Sequence, residues 1–410
     1  MSIKPWMTSA DLIESVKRKI AVPINQRTFT DEDVLAFANE EMMISQVPDI
    51  LQYHEEFFVT YVDVPILANQ KRYPIPERAL GQKLRDVWYV DTNNNLYEMV
   101  RINPNDQSYW QRETSANNVM QKYFLEGNEI VLAPQTITSP TGSLRFTYYL
   151  RPNQLVLNEK AAISSAFFKN ITVTNGTIVD GDTITIGSVV FTAVSGSPAA
   201  LEFQIGANSV ATASNLVTSI LTDATYSASN GSPSTNIVKI SYSTLSTDIE
   251  ASNTIGFSVS SQTAIQFTAD LPDAIVDGVK IDFLQTKPGH KTLKMSQLLP
   301  IGSVSSDSIT FNSGVIPQEF IIGDYICEEY ECIIPQIPPD LHNGLAERVC
   351  GRILAAQGDA MGLQMIGAKL GDIQKSEGAL MDNRIDGSTQ KITQRKGLLS
   401  YLRMGIRRRI

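Results

Sequence analysis

GSLRFTYYLRPNQLV, residues 142–156, is the stretch from which the architecture can be read. Leu144, Phe146, Tyr148 and Leu150 alternate with Arg145, Thr147, Tyr149 and Arg151. A period of two sends one set into a core and the other toward water, the signature of a strand in an antiparallel sheet. Just upstream, YFLEGNEIVLAP (123–134) holds two apolar runs around Glu126-Gly127-Asn128-Glu129, which predicts a tight hairpin. Residues 84–90 and 96–102 predict a second hairpin around Asp91-Thr92-Asn93-Asn94-Asn95. Residues 57–62 are aromatic and β-branched, hence strand-like.

Upstream of these strands the period changes to that of a helix. Thr8 can cap a first helix, with Asp11 in capping-box spacing and Leu12, Ile13, Val16 and Ile20 on one face; Pro23 would end it. Thr30 can cap a second, with Asp31, Glu32 and Asp33 at the positive end of its dipole and Val34, Leu35, Ala38 and Met42 facing inward. Downstream, residues 168–270 are rich in Ser, Thr, Asn and Gly. Between 171 and 260 the charged residues are Asp180, Asp182, Glu202, Asp223, Lys239, Asp248 and Glu250 alone. Short strands at 171–174, 183–186, 189–193, 237–243 and 255–260, with one helix at 210–221, make this a β-rich module inserted into the host domain.

Strands are expected again at 279–284, 308–311 and 319–330, with a turn at Lys287-Pro288-Gly289-His290. Pro335, Pro338 and Pro339 form a stiff connector, and Asp340 is a candidate cap for a helical region over 341–382 that turns near Gly358 and Gly362. The expected divisions are 1–160 (helices and β domain), 168–270 (inserted module), 276–386 (strands and C-terminal helices) and 387–410 (arm). The fold class is α+β, a helical body with a small antiparallel β domain and an inserted β-rich domain.

Composition narrows the functions. The 410 residues are 42% apolar, enough for a real core, and the net charge of −9 argues against a general nucleic-acid coat. No apolar run reaches ~18 residues, so no membrane-spanning helix is expected, and the N-terminal twenty residues do not read as a secretory leader. Cys327, Cys332 and Cys350 are too few for a disulfide framework and read as buried thiols in a reducing compartment. His54, His290 and His342 are isolated, adjacent carboxylates such as Glu55-Glu56 and Glu328-Glu329 point to opposite faces of strands, and Asp180-Gly181-Asp182 reads as a hairpin turn rather than a calcium loop. No catalytic, cofactor-binding or metal-binding residues are assigned.

The sharpest local feature is the end of the chain. Residues 387–410 contain Lys391, Arg395, Lys396, Arg403, Arg407, Arg408 and Arg409 and no acidic residue. Leu398, Leu399, Tyr401, Leu402, Met404, Ile406 and Ile410 are interleaved with them. Such a segment is a solvated tail, a polybasic patch, or an arm that orders on an acidic partner or near nucleic acid; the apolar residues favour the last.

The helix pair, the strands of 123–156, the helical opening IPPDLHNGLAERVCGRILAAQGD (337–359) and the basic tail together resemble the head-to-tail connector (adaptor) proteins of tailed bacteriophages. DGDTITIGSVVFTAV (180–194), LEFQIG (201–206) and TASNLVTSIL (212–221) resemble a small module that recurs in phage virion proteins. The resemblance implies a non-enzymatic structural protein of the virion neck, assembled in the host cytoplasm. It implies a homo-oligomeric ring of roughly twelve subunits between the portal protein and a tail or tail-tube protein. Double-stranded DNA would pass through the lumen without sequence-specific binding; no cofactor and no membrane are implied. The arm residues expected to meet the partner are Arg395, Lys396, Leu399, Tyr401, Leu402, Arg403, Arg407, Arg408, Arg409 and Ile410. Trp88, Tyr89, Tyr148 and Tyr149 are candidate interface or core aromatics. The rival readings are a tail-tube or collar ring one layer down and, in a different class, a surface adhesion protein.

Overall fold

The computed structural model describes residues 6–380 apart from 21–28, 54, 69, 107–121, 134–141, 224, 232–233, 246, 287–298, 301–302 and 312–315. The chain is a mixed α+β protein with two hydrophobic cores. Helix α1 (Ser9–Lys19) starts in a reciprocal capping box: Thr8 Oγ1 accepts from the Asp11 amide, and Asp11 accepts from the Thr8 amide. Helix α2 (Asp31–Glu41) repeats the device with Thr30 and Asp33. Thr8→Ala is expected to cost about 1 kcal/mol, read as a lower urea midpoint, because it orphans a first-turn amide.

The chain does not leave the helix after α2. A π-helical turn, Met42–Gln46, runs directly into α3 (Val47–Tyr53). Pro48 explains the wide turn: its ring has no N–H and crowds the carbonyl four residues back, and a looser turn accommodates it. Phe57 and Phe58, expected in a strand, are instead buried within the short 3₁₀ turn Glu55–Phe58. Two adjacent side chains then reach the same core, which a strand forbids. The remaining helices are α4 (Ser209–Asp223), α5 (His342–Gln357) and α6 (Ala360–Leu380).

The first core joins α1–α3 and α5 to a four-stranded antiparallel sheet ordered Val59–Pro65, Ser143–Leu150, Ala79–Val90, Leu96–Glu98. In Ser143–Leu150 the burial alternates without a break, as its period of two requires. Gly142 precedes it at φ +92°, and a Cβ there would lie 2.2 Å from the Val90 carbonyl oxygen, so only glycine lets the chain enter beside that strand. The hairpin Lys122–Glu126/Glu129–Ala133 forms in the expected register.

Helix α5 is the axis of the helical body. Leu345, Ala346, Val349, Cys350 and Ile353 are buried along it, and ion pairs tie its polar side to its neighbours. Glu347 is held by Lys19 of α1 (2.9 Å) and by Lys369 of α6. Arg348 reaches Glu377 of α6 (2.9 Å) and Asp49 of α3 (3.5 Å), and Arg352 binds Glu41 of α2. Gly358, at φ +75°, closes α5 in the left-handed conformation and turns the chain into α6. Asp340 is not a cap: it sits in the 3₁₀ turn Pro339–Leu341, and α5 starts without a side-chain cap bond. The turn expected at 287–290, and with it His290, lies outside the described residues, as do Pro23 and His54.

The second core is built around the strand Ala162–Val173, which pairs with Ile237–Tyr242, Phe257–Val259, Thr263–Phe267 and Tyr325–Glu328. A smaller sheet (Thr183–Ile186, Val189–Val194, Glu202–Gln204, Ile249–Ala251) and α4 enclose Phe191, Phe203, Leu216 and Phe257. The packing of this core reaches beyond 168–270. The strand begins at Ala162, and Ile275, Ile281, Phe283, Ile309, Phe311, Phe320 and Ile326 belong to the same core. Lys280–Leu284 and Ser308–Phe311, expected with the host domain, hydrogen-bond into the sheet of the β-rich unit.

Candidate interaction site

Two strands carry both cores. In Lys280–Leu284, Ile281 and Phe283 face the second core, while Leu284 joins the first. In Tyr325–Glu328, Ile326 faces the second core and Cys327 the first. Asp282 alternates with Ile281 and Phe283, so it points at the body, where it is fully buried.

A buried clamp meets it there. Arg78, just ahead of the strand Ala79–Val90, donates from Nη2 to Asp282 Oδ2 at 2.6 Å, with the Arg78 side chain 6% exposed. Asn153 Nδ2 donates to the same oxygen at 2.6 Å, and the Tyr330 amide at 3.1 Å. Arg78 Nη1 donates to Asn153 Oδ1 (3.2 Å), and the Asn153 amide donates to Gln336 Oε1 (2.6 Å). The Arg78 guanidinium lies 4.4 Å from the centroid of the Tyr330 ring, whose hydroxyl donates to Glu77. Tyr330 holds φ +68°, a conformation that a non-glycine residue adopts only when its surroundings fix it. Burial pushes the Asp282 carboxyl above its ordinary range; Arg78, Asn153 and the Tyr330 amide offset part of that. The clamp was absent from the sequence reading, yet a cue existed. KIDFL (280–284) sets a carboxylate inside an apolar run, and a buried carboxylate needs a cation or several donors.

His342, also read as isolated, is a structural tie. Its Nδ1 accepts from the Met7 amide (3.0 Å), and its Nε2 lies 3.2 Å from the Pro335 carbonyl and 3.3 Å from that of Ile337. Burial lowers its pKa to about 4, so the neutral ring is the working form. Cys327, Cys332 and Cys350 are buried free thiols, with Cys350 raised to about 11 by desolvation. Asp180 and Asp182 serve a turn: they accept from the Ser195 and Val179 amides, and Gly181 takes φ +94°. Among the described residues no group of three or more His, Cys, Asp or Glu is placed to hold a metal ion. No helix among them is long and apolar enough to cross a membrane.

Of the four candidate aromatics, Tyr89 and Tyr148 are core residues, Tyr149 packs against the core, and Trp88 is half-buried on the outer face of the sheet. On that face Trp88 stands opposite Arg145, which grips Asp63 through Nε (2.8 Å) and Nη2 (2.7 Å) and lies over Tyr61, itself 58% exposed. The arm residues Arg395, Lys396, Leu399, Tyr401, Leu402, Arg403, Arg407, Arg408, Arg409 and Ile410 lie outside the described residues. What is described is their point of departure: Gly378, in the last turn of α6, approaches the Tyr53 ring at the end of α3.

No curated protein matches the chain. A family model described as SU10 adaptor protein matches residues 7–181. The matched stretch starts at the α1 capping box and takes in α1–α3, the body sheet, Asn153 and Arg78 of the clamp, and the first strand of the β-rich unit. It stops before α4, α5 and α6. Over residues 7–181, the part that builds the body sheet and its helices, this chain is similar to the SU10 adaptor protein family.

Proposed function

We propose that the protein is a structural, non-enzymatic component of the phage neck, a ring subunit that joins the capsid portal to the tail. The observation that carries this reading is the adaptor-family match over 7–181. The body suits the role. Its helices are fastened to α5 by ion pairs on several sides. The basic arm, 387–410, docks onto the portal, its arginines seeking acidic grooves and its apolar side chains becoming buried. The ring lumen passes DNA without reading it.

Mass measurement and negative-stain imaging of the protein, alone and with portal, test the reading. A closed ring of roughly twelve copies, formed alone or on portal, is expected. Removing 388–410 should leave a folded protein that no longer binds portal. Normal portal attachment by the truncated chain would remove the arm from the mechanism. A ring that binds only tail-tube protein would move the subunit one layer down.

A further inference from the structure

The strand Val59–Pro65 is an edge of the body sheet. It pairs with Ser143–Leu150 alone, from Val59↔Tyr149 to Pro65↔Ser143, and ends the sheet order. One bond fixes which of its backbone groups face outward. In the same register the Ile66 amide donates to the Gly142 carbonyl at 3.3 Å. By alternation Val64, Val62 and Thr60 exchange bonds with the neighbouring strand as well. The N–H and C=O groups of Val59, Tyr61 and Asp63, and the Pro65 carbonyl, therefore point the other way. Nothing among the described residues hydrogen-bonds to them. Edge strands are normally blunted by a lysine, a bulge, an internal proline or extreme shortness. This one, VTYVDVP, is seven residues long, with no lysine, no break in register and its proline last.

The edge is complementary to itself. Laid antiparallel about a two-fold axis through Val62, it sets Tyr61 opposite Asp63 of a second copy, Thr60 opposite Val64, and Val59 opposite Pro65. The outward-facing residues then meet one another, as an antiparallel ladder requires. Tyr61 and Asp63 exchange both bonds on either side of the axis, and the Val59 amide donates to the Pro65 carbonyl. The proline falls where its missing N–H removes only a terminal bond. Charge selects this register over its neighbours. Centred on Asp63, the pair would set two carboxylates face to face; centred on Tyr61, it would leave Pro65 without an opposite residue in the strand. Asp63 is already bound by its own Arg145 through Nε (2.8 Å) and Nη2 (2.7 Å), and Arg145 lies over the Tyr61 ring, 4.1 Å from its centroid. In the Val62 register each carboxylate thus faces a ring capped by the guanidinium of the other copy.

We infer that the free protein associates with a second copy through this edge, as a two-fold dimer in which the two body sheets join into one. A seven-residue strand pair is narrower than the ~1,200–2,000 Å² of a stable interface, so the dimer is reversible. A two-fold pair closes on itself and cannot continue around a rotational ring. The dimer is a form of the free chain, and the inference does not rest on the ring or on portal binding.

Sedimentation velocity on the full-length protein, from about 1 µM to about 1 mM, should show a monomer passing into a dimer. Tyr61→Asp opposes like charges at two places in each dimer and should weaken association about tenfold. Tyr61→Lys, which meets Asp63 of the second copy, should associate nearly as well as the wild type. Tyr61 is largely exposed, so both chains should keep their urea midpoints. Cross-linking reads the register directly. Val62→Cys stands on the axis as a close, non-hydrogen-bonded pair and should oxidise to a covalent dimer. Thr60→Cys and Val64→Cys, each facing an unlike residue, should not; the native thiols are all buried. A monomer throughout the range, equal weakening by the two Tyr61 substitutions, or a dimer that Val62→Cys does not link overturns the inference. A closed ring with no dimer also overturns it, and would leave the ring reading standing.

Discussion

Asp282→Ala is expected to destabilise the protein by about 3–5 kcal/mol, because it strands a buried guanidinium whose carboxylate has gone. Asp282 has no solvent exposure, and Arg78 has almost none. With the carboxylate removed, Arg78 loses its counter-charge and still donates to the neutral Asn153 Oδ1, and the Tyr330 amide loses its acceptor at φ +68°. Asp282→Asn should cost less, since an amide oxygen still receives the Tyr330 amide. The paired replacement Arg78→Met with Asp282→Leu should recover most of the loss, since a buried ion pair often exchanges for apolar side chains at little net cost. Urea unfolding of the four chains reads this out. A loss below ~1 kcal/mol for Asp282→Ala would mean that the clamp opens to water in solution.

The second large effect is on pH dependence. The His342 pKa is lowered from 6.5 to about 4 in the folded chain by burial. Between those values the unfolded chain binds a proton that the folded chain refuses. His342 therefore contributes stability that is fully present above pH 6.5 and is lost as the pH falls toward 4, about 3 kcal/mol in all. Asp282 works in the opposite direction: its raised carboxyl favours the folded chain at low pH, and that contribution fades as the pH rises. The comparison that isolates the histidine is wild type against His342→Gln. The wild type should lose stability on acidification from pH 7 to 4.5 relative to the variant. Parallel curves would show that the ring takes up its proton without leaving its site.

What could be read from the chain in advance follows the range of the interactions. The caps at Thr8 and Thr30 are decided within four residues, and both formed, the Thr30 cap as a full capping box with Asp33. The strand at 143–150 carries its own period, and its burial follows it. Phe57-Phe58 misled because two aromatics in a row look like a strand, whereas the helix–strand corner needs both in one core. Near residue 270, composition and sheet pairing part company. Charge returns to ordinary density after the Ser/Thr-rich stretch, but sheet pairing ignores composition, and Lys280–Leu284 and Ser308–Phe311 stay with the β-rich sheet. The clamp lay furthest out of reach: Arg78 and Asp282 are 204 positions apart, and only the isolated carboxylate of KIDFL hinted that a partner existed. The arm of the candidate site was legible as composition alone.

The two strands that serve both cores have a mechanical meaning. Ile281 and Phe283 belong to one core and Leu284 to the other, while Ile326 and Cys327 divide the same way. A pull on the β-rich unit along these strands meets no hinge peptide where they cross from one core to the other. It loads the hydrogen bonds between Lys280–Leu284, Tyr325–Glu328 and Ala162–Val173 together, in shear, with the Arg78–Asp282 pair as a cross-bolt. That arrangement carries the β-rich unit as a strut of the body rather than as a pendant.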